Sequence, residues 1–131
     1  MTARSSAKPL YVTIMAANPT TMEGLHEYLS RAGITSHATR ALLDASMVPP
    51  AASVVVIFPD EFGVDDVVTS MLRFRVGRPR LLIVVVTSTP QRFQSALAAQ
   101  GDSLLPVVLP KPAFSWIILD AIRAHALSEP S

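Results

Sequence analysis

LYVTIMAANPTTMEGL, residues 10–25, is the stretch on which the reading of the chain turns. An apolar run ends at Ala16-Ala17, turns through Asn18-Pro19 and enters a segment where Met22, Leu25 and Leu29 share one helical face. Thr20 and Glu23 have the spacing of a capping box, and Gly33 supplies a left-handed residue to end the helix. A strand followed at once by a helix opens an α/β unit, and open parallel sheets meet their ligands at the carboxyl ends of such strands. Ala16 and Ala17 stand at that end and carry no functional group. Arg4 and Lys8 before an apolar run, with small residues after it, also have the shape of an export signal. The run is short for that purpose and Thr13 interrupts it, so a strand is the better reading.

The same alternation continues downstream. Residues 35–39, 53–58, 80–87 and 105–109 read as further strands, and SVVVIF and RLLIVVVT are continuous β-branched runs of the kind that is covered on both faces. Between them, a short helix is expected around Arg40 to Met47, stopped by Pro49-Pro50. Val64, Val67, Val68, Met71 and Leu72 follow the helical apolar rule. Thr89-Pro90 reads as a cap and first helical position, with Gly101 closing that helix, and Ser115 is placed to cap a last helix reaching about Leu127. Strand and helix alternate five times, which requires parallel strands and right-handed crossovers. The expected fold is a flavodoxin-like doubly wound α/β sheet in the order 2-1-3-4-5, with helices on both faces. Residues 10–127 form the domain, between a loose segment 1–9 and a tail or start of a linker at 128–131.

Bulk properties bound the function. The chain has 131 residues, 50% of them hydrophobic and 16% charged, which suits one folded domain. A formal net charge of +1 offers no electrostatic case for nucleic acid. There is no cysteine, hence no disulfide framework and no thiol nucleophile or ligand, in keeping with a cytoplasmic protein. The run LLIVVV, 81–86, is far short of the ~18 residues of a membrane span, so no membrane role is expected. His26, His37 and His125 lie on separate segments without ligand spacing, and no glycine-rich phosphate loop is present, so neither metal nor cofactor is expected.

Thr87-Ser88 ends the fourth strand and Lys111-Pro112 follows the fifth. On those signatures and the five-fold alternation, the chain resembles the receiver domain of two-component response regulators over nearly its whole length. The resemblance implies an acidic pair after the first strand that binds magnesium, a phosphorylated aspartate ending the third, and a cis bond before Pro112. Laid on that pattern, Ala16 and Ala17 fall on the acidic pair and Phe58 on the acceptor. Alanine offers no oxygen to magnesium, and an aryl ring cannot form an acyl phosphate. The resemblance is therefore to a pseudo-receiver, a non-enzymatic, phosphorylation-independent signalling module with a degenerate site at Ala16, Ala17, Phe58, Asp60, Thr87 and Lys111. Shifting the register by two residues makes Asp60 the acceptor, with Glu61 beside it; otherwise Asp60 is a loop carboxylate, solvated or capping the helix near Gly63. Lys111 and Thr87 either meet an anion, as the family's pair does, or serve structure. In the structural case Lys111 reaches Asp60, Glu61 or a carbonyl, and Thr87 merely ends its strand.

The resemblance further implies that the fourth helix, fifth strand and fifth helix bind a protein partner or a second copy. Phe93, Leu97, Trp116, Leu119 and Arg123 are the candidate residues. In SWIILDAIRAHAL, Ile118, Ala121, Ile122 and His125 make one stripe, while Trp116, Ile117 and Leu119 add apolar surface beyond what one buried face requires. Trp116 either anchors an interface or folds back over the fifth strand. RFRVGRPR, 73–80, is the basic cluster; its arginines suit the carboxyl end of a helix, with an acidic partner as the alternative.

Overall fold

A computed structural model describes residues 10–42, 48, 52–77, 81–92, 107–111 and 114–128. Its strands are β1 (Tyr11–Met15), β2 (Thr35–Thr39), β3 (Val54–Ile57), β4 (Leu82–Thr87) and β5 (Val107–Pro110). All pair in parallel in the order β2-β1-β3-β4-β5, as the alternation requires. The helices described in full are α1 (Pro19–Arg31), α2 (Val64–Gly77) and α3 (Ser115–Ser128). A helical turn opens at Pro90, with Arg92 N–H donating to the Thr89 carbonyl at 3.1 Å. The remainder of that expected helix, with Phe93, Leu97 and Gly101, lies outside the described residues, as do residues 43–47, Pro112 and both chain ends. Arg40 to Leu42, expected to begin a helix, are not helical.

Side chains alternate across the strands and so build two cores. Val12, Ile14, Ala16, Val54, Val56, Phe58, Val84 and Val86 pack on Leu25 and Leu29 of α1 and on Ile118, Leu119 and Ile122 of α3. On the other face Met15, Val55, Ile57 and Val85 pack on Val67, Met71 and Phe74 of α2. Covering on both faces is what the unbroken apolar runs of β3 and β4 require.

Two helix starts differ from the sequence reading. Asn18, not Thr20, caps α1: its Oδ1 accepts from Thr20 N–H at 2.9 Å and Thr21 N–H at 3.4 Å, and Pro19 takes the first turn, where a missing N–H costs nothing. The Phe114 carbonyl accepts from Ile117 and Ile118, so Ser115 already lies inside α3. The other end of α1 is as expected. Gly33 has φ +81°, which lets the chain reverse and Ile34 N–H reach the Leu29 carbonyl at 2.9 Å.

Thr13, in the middle of β1, is fully buried, and its hydroxyl has no hydrogen-bond partner among the described residues. A buried hydroxyl left unpaired costs about 1–3 kcal/mol. Thr13→Val keeps the branched shape and deletes the hydroxyl. It is expected to stabilise the fold by about 1 kcal/mol, read as a higher urea midpoint with unchanged slope.

Candidate functional site

Parallel pairing puts the carboxyl ends of β1, β3, β4 and β5 along one edge. At β3 the strand alternation carries past Ile57. Phe58 N–H donates to the Met15 carbonyl at 3.0 Å, and the Phe58 ring, 4% exposed, joins the core beneath α1 and α3. Ala16, fully buried, lies in the same core, and Ala17 is half-buried. None of these three side chains offers an oxygen or nitrogen.

The functional groups come from the next turn. Pro59–Glu61 form a single 3-10 turn, closed by Phe62 N–H on the Pro59 carbonyl at 2.9 Å. Pro59 suits that turn because its fixed φ is helical and its absent N–H is not needed there. The turn brings Asp60 back to the sheet edge, where four donors meet its carboxylate. Thr87 Oγ1–H donates to Oδ1 at 2.5 Å, while Ser88 N–H and Ser88 Oγ–H donate to Oδ2 at 2.9 Å each. Lys111 Nζ stands 3.3 Å from Oδ2, and the Lys111 backbone N–H donates to the Thr87 carbonyl at 3.0 Å. One carboxylate thus links the ends of β3, β4 and β5.

Thr87 does more than end its strand. Its side chain is fully buried, its one proton goes to Asp60, and its oxygen accepts from Thr89 N–H at 3.1 Å. Thr89 Oγ1 lies 3.3 Å away, and because a carboxylate only accepts, the Thr89 hydroxyl is the donor in that contact. The chain runs from Thr89 through Thr87 to Asp60. Burial by itself raises the Asp60 pKa. The hydrogen bonds from the Thr87 hydroxyl, the Ser88 amide and hydroxyl and the Lys111 ammonium outweigh that effect and lower it to about 2.

Asp60, Thr87 and Lys111 are therefore brought together, and Asp60, still partly open to water, has partners that a merely solvated loop carboxylate would lack. Lys111 reaches Asp60, one of the structural partners open to it. Ser88, which supplies two of the donors, was part of the Thr87-Ser88 signature but was not among the candidate site residues. Its place directly after a strand-ending threonine was the available signal. Among the described residues no group of three His, Asp or Glu side chains is placed to hold a metal ion. No described helix is long and apolar enough to cross a membrane.

Among solved structures, a response regulator receiver protein from Sinorhizobium medicae superposes with a TM-score of 0.72 at 16% identity, covering 92% of this chain and 97% of that one. The fold is that of a receiver domain. An orphan response regulator of H. pylori gives 0.69 at 15% identity over 92% and 98% of the two chains. A non-phosphorylated receiver domain from Leptospira biflexa gives 0.67 at 18% over 93% and 97%. No family model matches the sequence, and no curated protein does. At these identities the likeness is one of fold: a flavodoxin-like receiver scaffold of five parallel strands in the order 2-1-3-4-5.

A pKa of about 2 in the folded chain, against an ordinary 3.8, means that the unfolded chain takes up the Asp60 proton first on acidification. The stability contributed by Asp60 is full above pH 3.8, declines as pH falls from there, and is lost below about 2. The stability difference between wild type and Asp60→Asn is accordingly expected to shrink over that interval. Urea unfolding of both proteins at pH 6, 4, 3 and 2 measures it. A gap independent of pH would show that charge on Asp60 contributes nothing to the network.

Proposed function

We propose that this chain is a receiver-like signalling module that acts through protein–protein contact without phosphorylation of an aspartate. The observation that carries the proposal is the state of Asp60. Both of its oxygens are engaged by protein donors, Oδ1 by the Thr87 hydroxyl and Oδ2 by the Ser88 amide, the Ser88 hydroxyl and the Lys111 ammonium. Accepting a phosphoryl group calls for a free carboxylate oxygen and for positive charge to stabilise the transferring group. Residues 16 and 17, which the resemblance places on the magnesium ligands, are alanines with no oxygen to give. Lys111 remains as a cation, and it is engaged with Asp60.

A second reading has a specific observation behind it. Asp60 lies beside Thr87 and Lys111, the pair that accompanies the phosphoryl group in the family the sequence resembles, so Asp60 is the residue an atypical phosphorylation would modify. Incubation with acetyl phosphate and magnesium separates the two. The intact mass is expected to stay unchanged, and a gain of one phosphoryl group that disappears in Asp60→Asn would establish the second reading.

An apolar surface at the start of α3 supports the contact role. Phe114 and Trp116 stack with ring centroids 4.6 Å apart and planes 7° from parallel, and each is about half exposed. Ile117 is 38% exposed beside them. Trp116 therefore does not fold back beneath the fold. Leu119 belongs to the core at 3% exposure, so it is removed from the proposed face: one helical turn from Ser115, it points with Ile118 and Ile122 toward the sheet. Arg123 is exposed, whereas Phe93 and Leu97 lie outside the described residues. Because Trp116 is not part of the core, Trp116→Asp should leave thermal stability within about 0.5 kcal/mol of wild type. If a second copy is the partner, the mass in solution falls from oligomer to monomer in this variant. A wild-type monomer would transfer the role to a different protein.

A further inference from the structure

We propose that the outer face of α2 is a self-association surface, on which a second copy of this chain docks with its own α2 antiparallel, about a two-fold axis at Thr69. This goes beyond the contact role given to the start of α3 and does not depend on it. The two helices cover opposite faces of the sheet.

One stripe of α2, through Val67, Met71 and Phe74, is spent on the core. At 3.6 residues per turn the opposite face is centred on Thr69, with Asp65, Leu72, Arg73 and Val76 around it. Val76 is 88% exposed, more than either Phe114 or Trp116. A depression of about 420 Å³ on this face is lined by Thr69, Leu72, Arg73, Val76 and Gly77. A helix that already buries one stripe has no use within its own fold for leucine and valine on the other side.

The charges on the face decide what covers it. Asp65 and Asp66 stand in the first turn of α2, and Arg73 stands two turns later, exposed, where the basic cluster RFRVGRPR begins. A segment of one charge sign complements only one end of that pattern. The same helix run in the opposite direction complements both. A two-fold contact needs such a patch, in which one residue meets a second and the second meets the first. Asp65 and Arg73 lie four residues on either side of Thr69, so an axis at Thr69 sets each Asp65 opposite Arg73 of the second copy. Thr69 at the crossing is small enough for the helix axes to approach to roughly 8–10 Å, and the antiparallel arrangement also opposes the two helix dipoles favourably. The formal net charge of +1 does not resist self-association. One helix against one helix is a small interface, so the dimer is expected to be weak and to form as concentration rises.

Sedimentation equilibrium over the micromolar to millimolar range tests this. The wild-type mass is expected to rise from 14.1 kDa towards twice that value. Asp65→Arg and Arg73→Glu each set like charges opposite one another and are expected to weaken self-association by at least about tenfold. Mixed in equal amounts, the two variants are expected to associate again, because each offers the other an opposite charge at both contacts. Thr69→Cys, in a chain otherwise without cysteine, is expected to form a disulfide-linked dimer on mild oxidation faster than Glu23→Cys on the exposed side of α1, and it changes no charge on α2, so it judges the proposal even where a reversal variant does not fold. A wild type that stays monomeric throughout overturns the proposal, as do reversals that leave association unchanged or a mixture no more associated than its components. Trp116→Asp is expected to keep this dimer. Its dissociation in that variant would place self-association on α3 and overturn the role of α2 alone, whereas failure of the α2 contact leaves the α3 surface and the acetyl phosphate result untouched.

Discussion

The burial of β3 on both faces is the constraint from which the candidate site follows. Val54 to Ile57 are each at most 1% exposed, with β1 on one side and β4 on the other. Alternate side chains enter opposite cores, and the alternation does not stop where the strand does: position 58 falls on the face shared with α1 and α3. A ring there extends the core. A carboxylate there would need its own partners or would go unpaired in an apolar layer. The acid of this chain is two residues further on, beyond a proline that turns the backbone, and from Asp60 it reaches the ends of β4 and β5.

The position of Asp60 decides which groups it meets. Its Oδ1 accepts from the Thr87 hydroxyl, and its Oδ2 from the Ser88 amide and hydroxyl. Charge is balanced locally, one carboxylate against one ammonium, and both side chains keep some contact with water, at 24% and 33% exposure. A partly exposed pair of this kind adds modestly to stability. Its larger effect is on position, since a single side chain fixes the relative placement of three strand ends and the first residues after β4.

Much of the scaffold was legible in the sequence, for a reason that particular residues make clear. Continuous β-branched runs suit strands covered on both faces, and most segments between 10 and 87 keep strand and helix periods distinct, so the alternation and the parallel pairing followed from pattern. Caps were harder. Thr20 and Glu23 matched a capping box, but Asn18 followed by Pro19 is the stronger start, because the asparagine oxygen meets two amides and the proline has none to satisfy. Leu119 shows the limit of reading a helix whose apolar residues surround it: Trp116, Ile117, Ile118 and Leu119 are consecutive, and only the packed structure divides them into two exposed and two buried. Asp60 was legible as a candidate but not in its place. A strand that ends at Phe58 and a following Pro59 both suggest that the chain leaves the cleft, and nothing in composition or period reveals a 3-10 turn that brings it back. The chemical clue was the lysine: a lysine at a strand end needs a partner, and Asp60 stood with Glu61 and a carbonyl among the candidates.

The direction of the hydrogen bonds carries the last step. A threonine hydroxyl has one proton to donate and two lone pairs. At Thr87 the proton is committed to Asp60, so the oxygen is left to receive the amide and hydroxyl of Thr89, and all three capacities are used. A neutral group at position 60 could still accept the Thr87 proton, but less strongly, and the polarisation along the chain would weaken with it. Thr89 stands immediately before the helical turn at Pro90, so the charge on Asp60 is felt where the chain leaves the sheet edge. Ser88 and Thr89, the first residues after β4, are therefore tied to an anion that belongs to the protein itself.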